Sequence, residues 1–260
     1  MISAGLDVGS RTIKLVTLDG EIRGSAVMAT GARPLERCRE LLAERPPFDR
    51  LVVTGYGRHL VGDALGAGTV SEIKACAVGA RRLYPDCRTV IDVGGQDCKV
   101  TQLGAGGDVV KFEMNDRCAA GTGRFLEVMA ATLDVGIDEL GGLALRATHA
   151  AQISSLCTVF AESEVISLIA RGEDAAATAL ALHRAVAARI AAMARRVGVS
   201  ARAVFAGGGA LNPCLVKLLA EELRAAMTVP DDPRTVGALG AAVLASQPIN
   251  KSETREEASS

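Results

Sequence analysis

The sequence contains no tryptophan, and aromatic residues make up only 3% of its 260 residues. Proteins that bind single-stranded nucleic acid stack the bases on aromatic side chains, and this chain has very few of them. It also lacks an excess of basic charge, because 29 lysines and arginines are balanced by 30 aspartates and glutamates. We therefore expect neither nucleic acid nor an anionic membrane surface as a partner.

Long hydrophobic runs are absent as well. No apolar run approaches the ~20 residues that a membrane-spanning helix needs, and the first residues do not combine a basic segment with an apolar one, as a signal peptide would. From this pattern we expect no membrane association and a cytoplasmic location.

The cysteines are too widely spaced for a local metal or redox motif. The sequence has seven, at Cys38, Cys76, Cys87, Cys98, Cys118, Cys157 and Cys214. No two are closer than 11 residues, which excludes a CxxC motif, and an odd number argues against the disulfide framework of a secreted protein. A metal site built from these cysteines would have to be assembled by folding or by association of chains.

The most informative feature is a pattern that occurs twice. Residues 6–15 (LDVGSRTIKL) and residues 91–100 (IDVGGQDCKV) share an apolar residue, Asp, Val and Gly, followed after four residues by Lys. A repeat at this distance is too long for a solenoid and indicates two similar halves, each beginning with a hairpin. We predict a first half over residues 1–86, a second half over residues 87–246 and a polar, disordered tail over residues 247–260.

The chemistry of the two hairpins suits a polyphosphate. A glycine-rich hairpin tip exposes backbone N–H groups, and Ser10, Thr12 and Lys14 add hydroxyl and ammonium donors for phosphate oxygens. The aspartate before each tip, Asp7 or Asp92, could hold Mg²⁺ directly or through water. Either copy alone is an ordinary turn sequence. Two copies that face each other predict a nucleotide cleft between the halves.

Three further segments combine small residues with a predicted helix start. Residues 115–125 (NDRCAAGTGRF) and residues 154–166 (SSLCTVFAESEVI) each place a cysteine before or at the beginning of a helix. Residues 203–212 (AVFAGGGALN) are typical of a strand, a glycine turn and a helix start, which is a place for the adenosine or α-phosphate of a nucleotide.

Two predicted helices carry polar residues of interest. Residues 175–197 form an alanine-rich amphipathic pattern, for which we expect the arginines to face solvent and His183 to be a surface or capping residue. Ser71 is the expected cap of a helix that ends near Leu83. In its first turn, Glu72 is either an acid near the cleft or a partner in the helix cap.

These motifs, in the order DVGSxxxK, DVGGQ and AGGGALN, resemble the superfamily of acetate and sugar kinases, heat-shock chaperones and actin ATPases. The resemblance implies an α/β fold of two ribonuclease H-like halves with a nucleotide cleft between them. The two cysteine segments are similar to those of the ATP-dependent activators of (R)-2-hydroxyacyl-CoA dehydratases. Related ATPase subunits of benzoyl-CoA reductases share the pattern more loosely. The resemblance covers roughly residues 3–245.

The resemblance implies a homodimer with one 4Fe-4S cluster at the subunit interface, ligated by Cys118 and Cys157 of each chain. A two-fold axis turns two thiolates into the four that such a cluster takes. The implied activity is ATP hydrolysis coupled to the transfer of a low-potential electron to a dehydratase, with ferredoxin or flavodoxin as the electron donor. For the other five cysteines we expect packing in the interior.

The resemblance also assigns roles in the nucleotide site. Asp7 anchors Mg²⁺, and Gln96 or Asp97 orients the attacking water. The nucleotide-binding residues are Ser10, Arg11, Thr12, Ile13 and Lys14 in the first phosphate loop, Gly94, Gly95 and Gln96 in the second, Gly207, Gly208 and Gly209 behind the adenosine, and Arg234 at its rim.

Three alternatives remain open at this point. The chain could be an ATPase subunit permanently attached to a benzoyl-CoA-type reductase, which the shared motifs do not separate from a stand-alone activator. It could be a metabolite kinase, which needs a substrate pocket and has no use for the two cysteine motifs. It could also be a nucleotide-responsive regulator without turnover.

Overall fold

The computed structural model describes residues 1–154, 157–200 and 202–247. In these residues the chain forms ten strands and nine α-helices. The strands are β1 (Ser3–Val8), β2 (Thr12–Asp19), β3 (Glu21–Ala29), β4 (Arg50–Thr54), β5 (Gly68–Thr69), β6 (Thr89–Val93), β7 (Cys98–Leu103), β8 (Val109–Asn115), β9 (Arg202–Ala206) and β10 (Ala226–Thr228). The helices are α1 (Pro34–Ala43), α2 (Arg58–Leu65), α3 (Glu72–Leu83), α4 (Gly123–Thr132), α5 (Ile137–Leu145), α6 (Thr158–Ala170), α7 (Ala175–Val197), α8 (Pro213–Leu223) and α9 (Val236–Ser246).

The strands form two five-stranded sheets with the same internal plan. The first sheet has the order β3-β2-β1-β4-β5 and the second has the order β10-β9-β6-β7-β8. In each sheet a hairpin pairs antiparallel, β1 with β2 and β6 with β7, and the first strand of that hairpin pairs parallel with a later strand, β4 or β9. The predicted duplication is therefore visible in the topology of the two sheets.

The two hairpins also agree in register. Asp7 lies opposite Lys14 in the first hairpin, and Asp92 lies opposite Lys99 in the second. Residues on opposite strands of a ladder point to the same face of the sheet, so each lysine lies beside its aspartate. The repeated pattern in the sequence thus becomes a repeated Asp–Lys pair in space.

The long helix α7 has the predicted bounds, and its apolar stripe lies in the largest core cluster, together with Phe125, Met129 and Phe205. The prediction that His183 is a surface or capping residue was wrong. Its side chain is fully buried. Its Nδ1 donates to the Ala179 carbonyl at 2.7 Å, and Asn212 Nδ2 donates to its Nε2 at 2.8 Å. Burial lowers the pKa of His183.

Helix α3 confirms the predicted cap, because the Ser71 side chain accepts a hydrogen bond from Lys74 N. Helix α9, which the prediction placed with the second half, packs instead against α3 and against β1, β2 and β4 of the first sheet. A Cβ atom on Gly240 would lie 1.7 Å from the Ala75 carbonyl oxygen, and one on Gly79 would lie 2.0 Å from that of Val236. The two helix backbones are therefore in direct contact. The division at residues 86 and 87 stays a prediction.

Helices α2 and α5 were not expected from the sequence. Each has glycine in its interior, Gly62 in α2 and Gly141 and Gly142 in α5, and glycine lowers helix propensity. Tertiary packing offsets this, since Val61 and Leu140 are fully buried. The predicted disordered tail lies, apart from its first residue, outside the described residues, as do residues 155 and 156 of the second cysteine segment. No helix in the described ranges is both long and apolar enough to cross a bilayer.

Candidate nucleotide site between the halves

A cavity of about 390 Å³ lies between the two sheets. This volume is in the range of small-molecule binding pockets. The predicted site residues that line it are Asp7, Ser10, Arg11, Thr12, Lys14, Gly94, Gly95, Gln96, Asp97, Gly207, Gly208, Gly209 and Arg234. Ile13 does not line the cavity. Its side chain is fully buried in the core of the first half, because the alternation of strand β2 turns it away from its neighbours Thr12 and Lys14.

The first hairpin presents an ion pair to the cavity. Lys14 Nζ lies 3.0 Å from Asp7 Oδ2, and both side chains are mostly buried. Burial lowers the pKa of Lys14, but the Asp7 carboxylate more than offsets this effect, so that the pKa is raised. Lys14 is therefore charged at neutral pH and available to phosphate oxygens on the wall of the cavity.

The second hairpin carries a larger charged cluster. Lys99 Nζ lies 2.6 Å from Glu72 Oε2, 2.7 Å from Asp97 Oδ2 and 3.9 Å from Asp92 Oδ2. Burial raises the pKa of Asp92 to about 6, against the opposing effect of Lys99. Burial lowers the pKa of Lys99, but the carboxylates around it reverse this, and the pKa is raised. Three carboxylates and one ammonium thus share one wall, and carboxylate oxygens are ligands that Mg²⁺ prefers.

The sequence analysis assigned no role to Lys99. The signal that could have identified it is that Lys99 occupies the same position in the second hairpin as Lys14 does in the first. For Glu72 the sequence left two alternatives, an acid near the cleft or a partner in the helix cap. The first is correct, since Glu72 lines the cavity and pairs with Lys99.

The duplication extends to a second pair of glycine turns, which the sequence analysis did not connect. Gly55 and Gly207 both have positive φ, +95° and +81°. A Cβ atom on Gly55 would lie 2.5 Å from Asp7 Oδ1, and one on Gly207 would lie 2.4 Å from Asp92 Oδ1. Each half therefore has a glycine turn pressed against the aspartate of its own hairpin. Residues 55–57 (GYG) and 207–209 (GGG) are the matching sequences.

Near residues 207–209 the lining of the cavity includes apolar side chains as well. Leu211 and Ile137 line it with large exposed fractions of their side chains, and Asp138 lies beside them. Arg234 also lines the cavity, but its guanidinium pairs with Asp232, Nε with Oδ1 at 2.8 Å and Nη2 with Oδ2 at 2.9 Å.

The cysteines divide into two groups. Cys38, Cys76, Cys87, Cys98 and Cys214 are buried, as predicted. Cys118 is half-buried in the loop before α4, and Cys157 is exposed immediately before α6. Helices α4 and α6 pack against each other, and Asn115 Nδ2 fixes the Cys118 loop by donating to the carbonyls of Cys118 and Ala120 at 2.9 and 3.0 Å.

The described residues contain no group of three or more histidine, cysteine or acidic side chains that could hold a metal ion. A 4Fe-4S cluster takes four thiolates, and one chain offers two accessible ones. The residues present therefore fit such a cluster only when two chains share it.

Residues 4–245 match the family described as BadF/BadG/BcrA/BcrD ATPases. The chain belongs to this family. The activator of lactoyl-CoA dehydratase from Anaerotignum propionicum is 42% identical over 260 residues, which are 96% of this chain and 100% of that protein. One of the benzoyl-CoA reductase subunits of Thauera aromatica is 30% identical over 270 residues, covering 93% of this chain and 92% of that one. The chain is thus an ATPase-family protein over nearly its whole length.

Solved structures agree with the fold. The activator of 2-hydroxyisocaproyl-CoA dehydratase from Clostridium difficile, with bound ADPNP, has a TM-score of 0.88 at 40% identity, and the match covers 94% of each chain. Three solved structures at 14% to 16% identity, with TM-scores of 0.58 to 0.62, show the fold alone. The predicted fold of two ribonuclease H-like halves is confirmed.

Proposed function

We propose that this chain is an ATP-hydrolysing activator that delivers a low-potential electron to a 2-hydroxyacyl-CoA dehydratase. The observation that carries the proposal is the combination of a cavity between two Asp–Lys hairpins with two cysteines that stay outside the core. The relatives named activators of such dehydratases support it. A cytoplasmic location and a ferredoxin or flavodoxin as electron donor belong to the same proposal.

In the nucleotide site, Asp7 anchors Mg²⁺, while Ser10, Thr12 and Lys14 bind phosphate oxygens together with the backbone N–H groups of the hairpin tips. Arg11 completes the first phosphate loop, and Gly94 and Gly95 form the second. Gln96 or Asp97 orients the attacking water. Residues 207–209 lie behind the adenosine, and Arg234 lies at its rim.

The cysteines belong to the second part of the proposal. Cys118 and Cys157 of two chains would together hold one 4Fe-4S cluster in a homodimer, and the cluster would supply a one-electron carrier. Val159 and Phe160, which closely follow Cys157, each have 67% of their surface exposed. Exposed apolar residues of this size next to Cys157 support a contact between two chains at that place.

Nucleotide acts on the cysteines through the arrangement of the two halves. ATP that contacts both hairpins favours the arrangement in which the hairpins are closest. The size of this shift is set by the difference between the affinities of ATP for the closed and the open arrangement. Hydrolysis removes the γ-phosphate contacts and returns the halves to their starting arrangement.

The alternatives differ in how well they are supported. An ATPase subunit of a benzoyl-CoA-type reductase is the second candidate, supported by a relative at 30% identity against 42% for an activator. A metabolite kinase or a regulator without turnover would have no use for Cys118 and Cys157, which both lie outside the core.

The decisive experiment is to purify the protein without oxygen and to measure its iron content, visible spectrum and mass in solution. Cys118→Ala is the test variant, and Cys214→Ala, at a buried cysteine, is the matched control. We expect a brown dimer with about four irons per pair, lost in the first variant and retained in the second. An iron-free protein that still hydrolyses ATP would overturn the electron-transfer proposal.

The partner is then tested by adding the purified activator, ATP and a reductant to a 2-hydroxyacyl-CoA dehydratase. We expect dehydration of the hydroxyacyl-CoA only with hydrolysable ATP. Dehydration at the same rate without ATP would contradict the proposal.

A further inference from the structure

Helix α4 is joined directly to the second phosphate hairpin. Gly123 N donates to the Gly94 carbonyl at 2.9 Å, and Arg124 N donates to the Gly95 carbonyl at 2.8 Å. The first N–H groups of a helix have no partner within the helix, and here they are satisfied by the hairpin tip. Any shift of this tip is therefore transmitted to the start of α4.

The same helix is also joined to the first hairpin. Arg11 forms a two-pronged ion pair with Glu127 of α4, Nε with Oε1 at 3.2 Å and Nη2 with Oε2 at 2.9 Å. The aliphatic part of the Arg11 side chain packs against Gly95 of the second hairpin. A Cβ atom on Gly95 would lie 2.4 Å from Arg11 Cγ. Helix α4 thus contacts the phosphate hairpins of both halves.

The helix leads back to the half-buried cysteine. Cys118 lies five residues before the start of α4, in a loop held by Asn115 and by a hydrogen bond from Thr122 Oγ1 to the Ala119 carbonyl at 2.7 Å. Because these hydrogen bonds hold the loop and α4 begins where the loop ends, a movement of α4 also moves the loop. The position of Glu127 is therefore coupled to the surroundings of the Cys118 thiol.

The chemistry of Arg11 makes this ion pair exchangeable. A guanidinium binds a carboxylate or a phosphate with the same planar pair of N–H groups, and Arg11 lines the cavity between the halves. When Arg11 turns to a phosphate, Glu127 retains a second partner one turn away, since Arg124 Nη1 lies 3.2 Å from Glu127 Oε2. The carboxylate is then not left unpaired.

We propose that nucleotide phosphate and Glu127 compete for Arg11, and that this exchange couples nucleotide binding to the position of the Cys118 loop. Glu127 lines the same cavity as Arg11, and in this scheme it is a positioning residue that acts through Arg11. The inference rests on the proposed nucleotide site and does not require the cluster. Coupling between two sites is reciprocal, so the loss of Glu127 alters nucleotide affinity as well as the cysteine loop.

The test uses the iron-free, reduced protein and two measurements. The first is the affinity for a non-hydrolysable ATP analogue, and the second is the alkylation rate of Cys118, followed by mass spectrometry with and without the analogue. Glu127→Gln removes both ion pairs of Glu127. The matched control Arg124→Gln removes only the pair within α4.

For Glu127→Gln we expect the analogue to bind ~two- to fivefold more tightly, the range set by the strength of exposed ion pairs, because Arg11 no longer has a competing carboxylate. Its Cys118 alkylation rate without the analogue should match that of the wild type with the analogue. Arg124→Gln should bind the analogue no more tightly than the wild type, because Glu127 then has only Arg11 as its partner, and Glu127→Asp should be intermediate. Tighter binding is a result that loss of a purely structural contact would not give.

Equal nucleotide affinity in the wild type and Glu127→Gln would overturn the inference, as would a wild-type Cys118 that reacts at one rate with and without the analogue. Failure of the wild type to bind the analogue would overturn the proposed nucleotide site as well. A nucleotide-sensitive Cys118 in a protein that never binds iron would support this inference while the cluster proposal fails.

Discussion

Lys99 and Glu72 form an ion pair of 2.6 Å that joins the second sheet to the first turn of α3. Only 5% of the Lys99 side chain is exposed, and it also pairs with Asp97 and lies near Asp92. This one ammonium is therefore the counter-ion of three carboxylates on the cavity wall.

Replacement of Lys99 by Met should lower the free energy of unfolding by about 3–5 kcal/mol, because removing one partner of a buried ion pair leaves uncompensated charge. Urea unfolding at pH 7.5 measures this loss. Lys217→Met is the control, since Lys217 is exposed and its nearest carboxylate, on Glu221, is 4.0 Å away. Equal losses in the two variants would show that Lys99 is not the counter-ion of this cluster.

Asp92 should make stability depend on pH in a definite direction. Folding raises its pKa from 3.8 to about 6, so the folded state binds this proton more tightly than the unfolded chain does. The resulting contribution to stability is fully present below the unfolded pKa and is lost as pH rises through about 6.

Asp92→Asn has no such contribution. The free energy of unfolding of this variant, relative to that of the wild type, should therefore increase by about 2.4 kcal/mol between pH 4 and pH 7, at ~1.4 kcal/mol per pKa unit. Urea unfolding of both proteins across this range tests it. A difference that stays constant with pH would contradict the elevated pKa.

The contact between α3 and α9 should not tolerate a side chain at Gly240. A Cβ atom there would lie 1.7 Å from the Ala75 carbonyl oxygen, so Gly240→Ala forces the helices apart and should cost at least ~2 kcal/mol. Gly142→Ala is the control in α5, where a Cβ atom meets nothing within 4 Å. This change should stabilise by ~0.5–1 kcal/mol through helix propensity. Thermal unfolding distinguishes the two, and a Gly240→Ala protein as stable as the wild type would show that the helices separate freely.

Gln96 and Asp97 can be separated as water-orienting residues by kinetics. Asp97 is engaged with Lys99 at 2.7 Å, so we expect Gln96→Ala to lower kcat for ATP hydrolysis by ~10²-fold, in the range attributed to positioned catalytic groups. The Kd for a non-hydrolysable analogue should remain unchanged, because the backbone of the hairpin is intact. If Gln96→Ala hydrolyses ATP at the wild-type rate, Asp97 and not Gln96 orients the attacking water.

The hairpins, the duplication and most of the cavity lining could be predicted because they depend on local sequence. The residues of a glycine turn and of the β-branched strands beside it are enough to indicate a hairpin. The pattern of Asp–Val–Gly followed by Lys at a fixed spacing occurs twice, which indicates the duplication. The burial of five cysteines followed from the apolar character of a free thiol.

Features that depend on long-range packing could not be predicted from the sequence. The buried ring of His183 accepts a hydrogen bond from Asn212, 29 residues away, and no local pattern indicates such a partner. Arg11 and Glu127 are 116 residues apart, and the side chain of Ile13 turns into the core although its neighbours line the cavity. The equivalence of residues 55–57 and 207–209 was hidden because only one of these turns is a run of glycines.

Helix α9 is made last among the described helices, but it covers strands that are made near the start of the sequence. Val16 and Leu18 on strand β2 share one apolar cluster with Ala238, Leu239 and Ala242 of α9. Strand β2 leaves the ribosome before α9, because the residues that cover it are made more than 200 positions later. Contacts of such sequence separation form late, so a nascent chain exposes this face of the first sheet throughout most of translation.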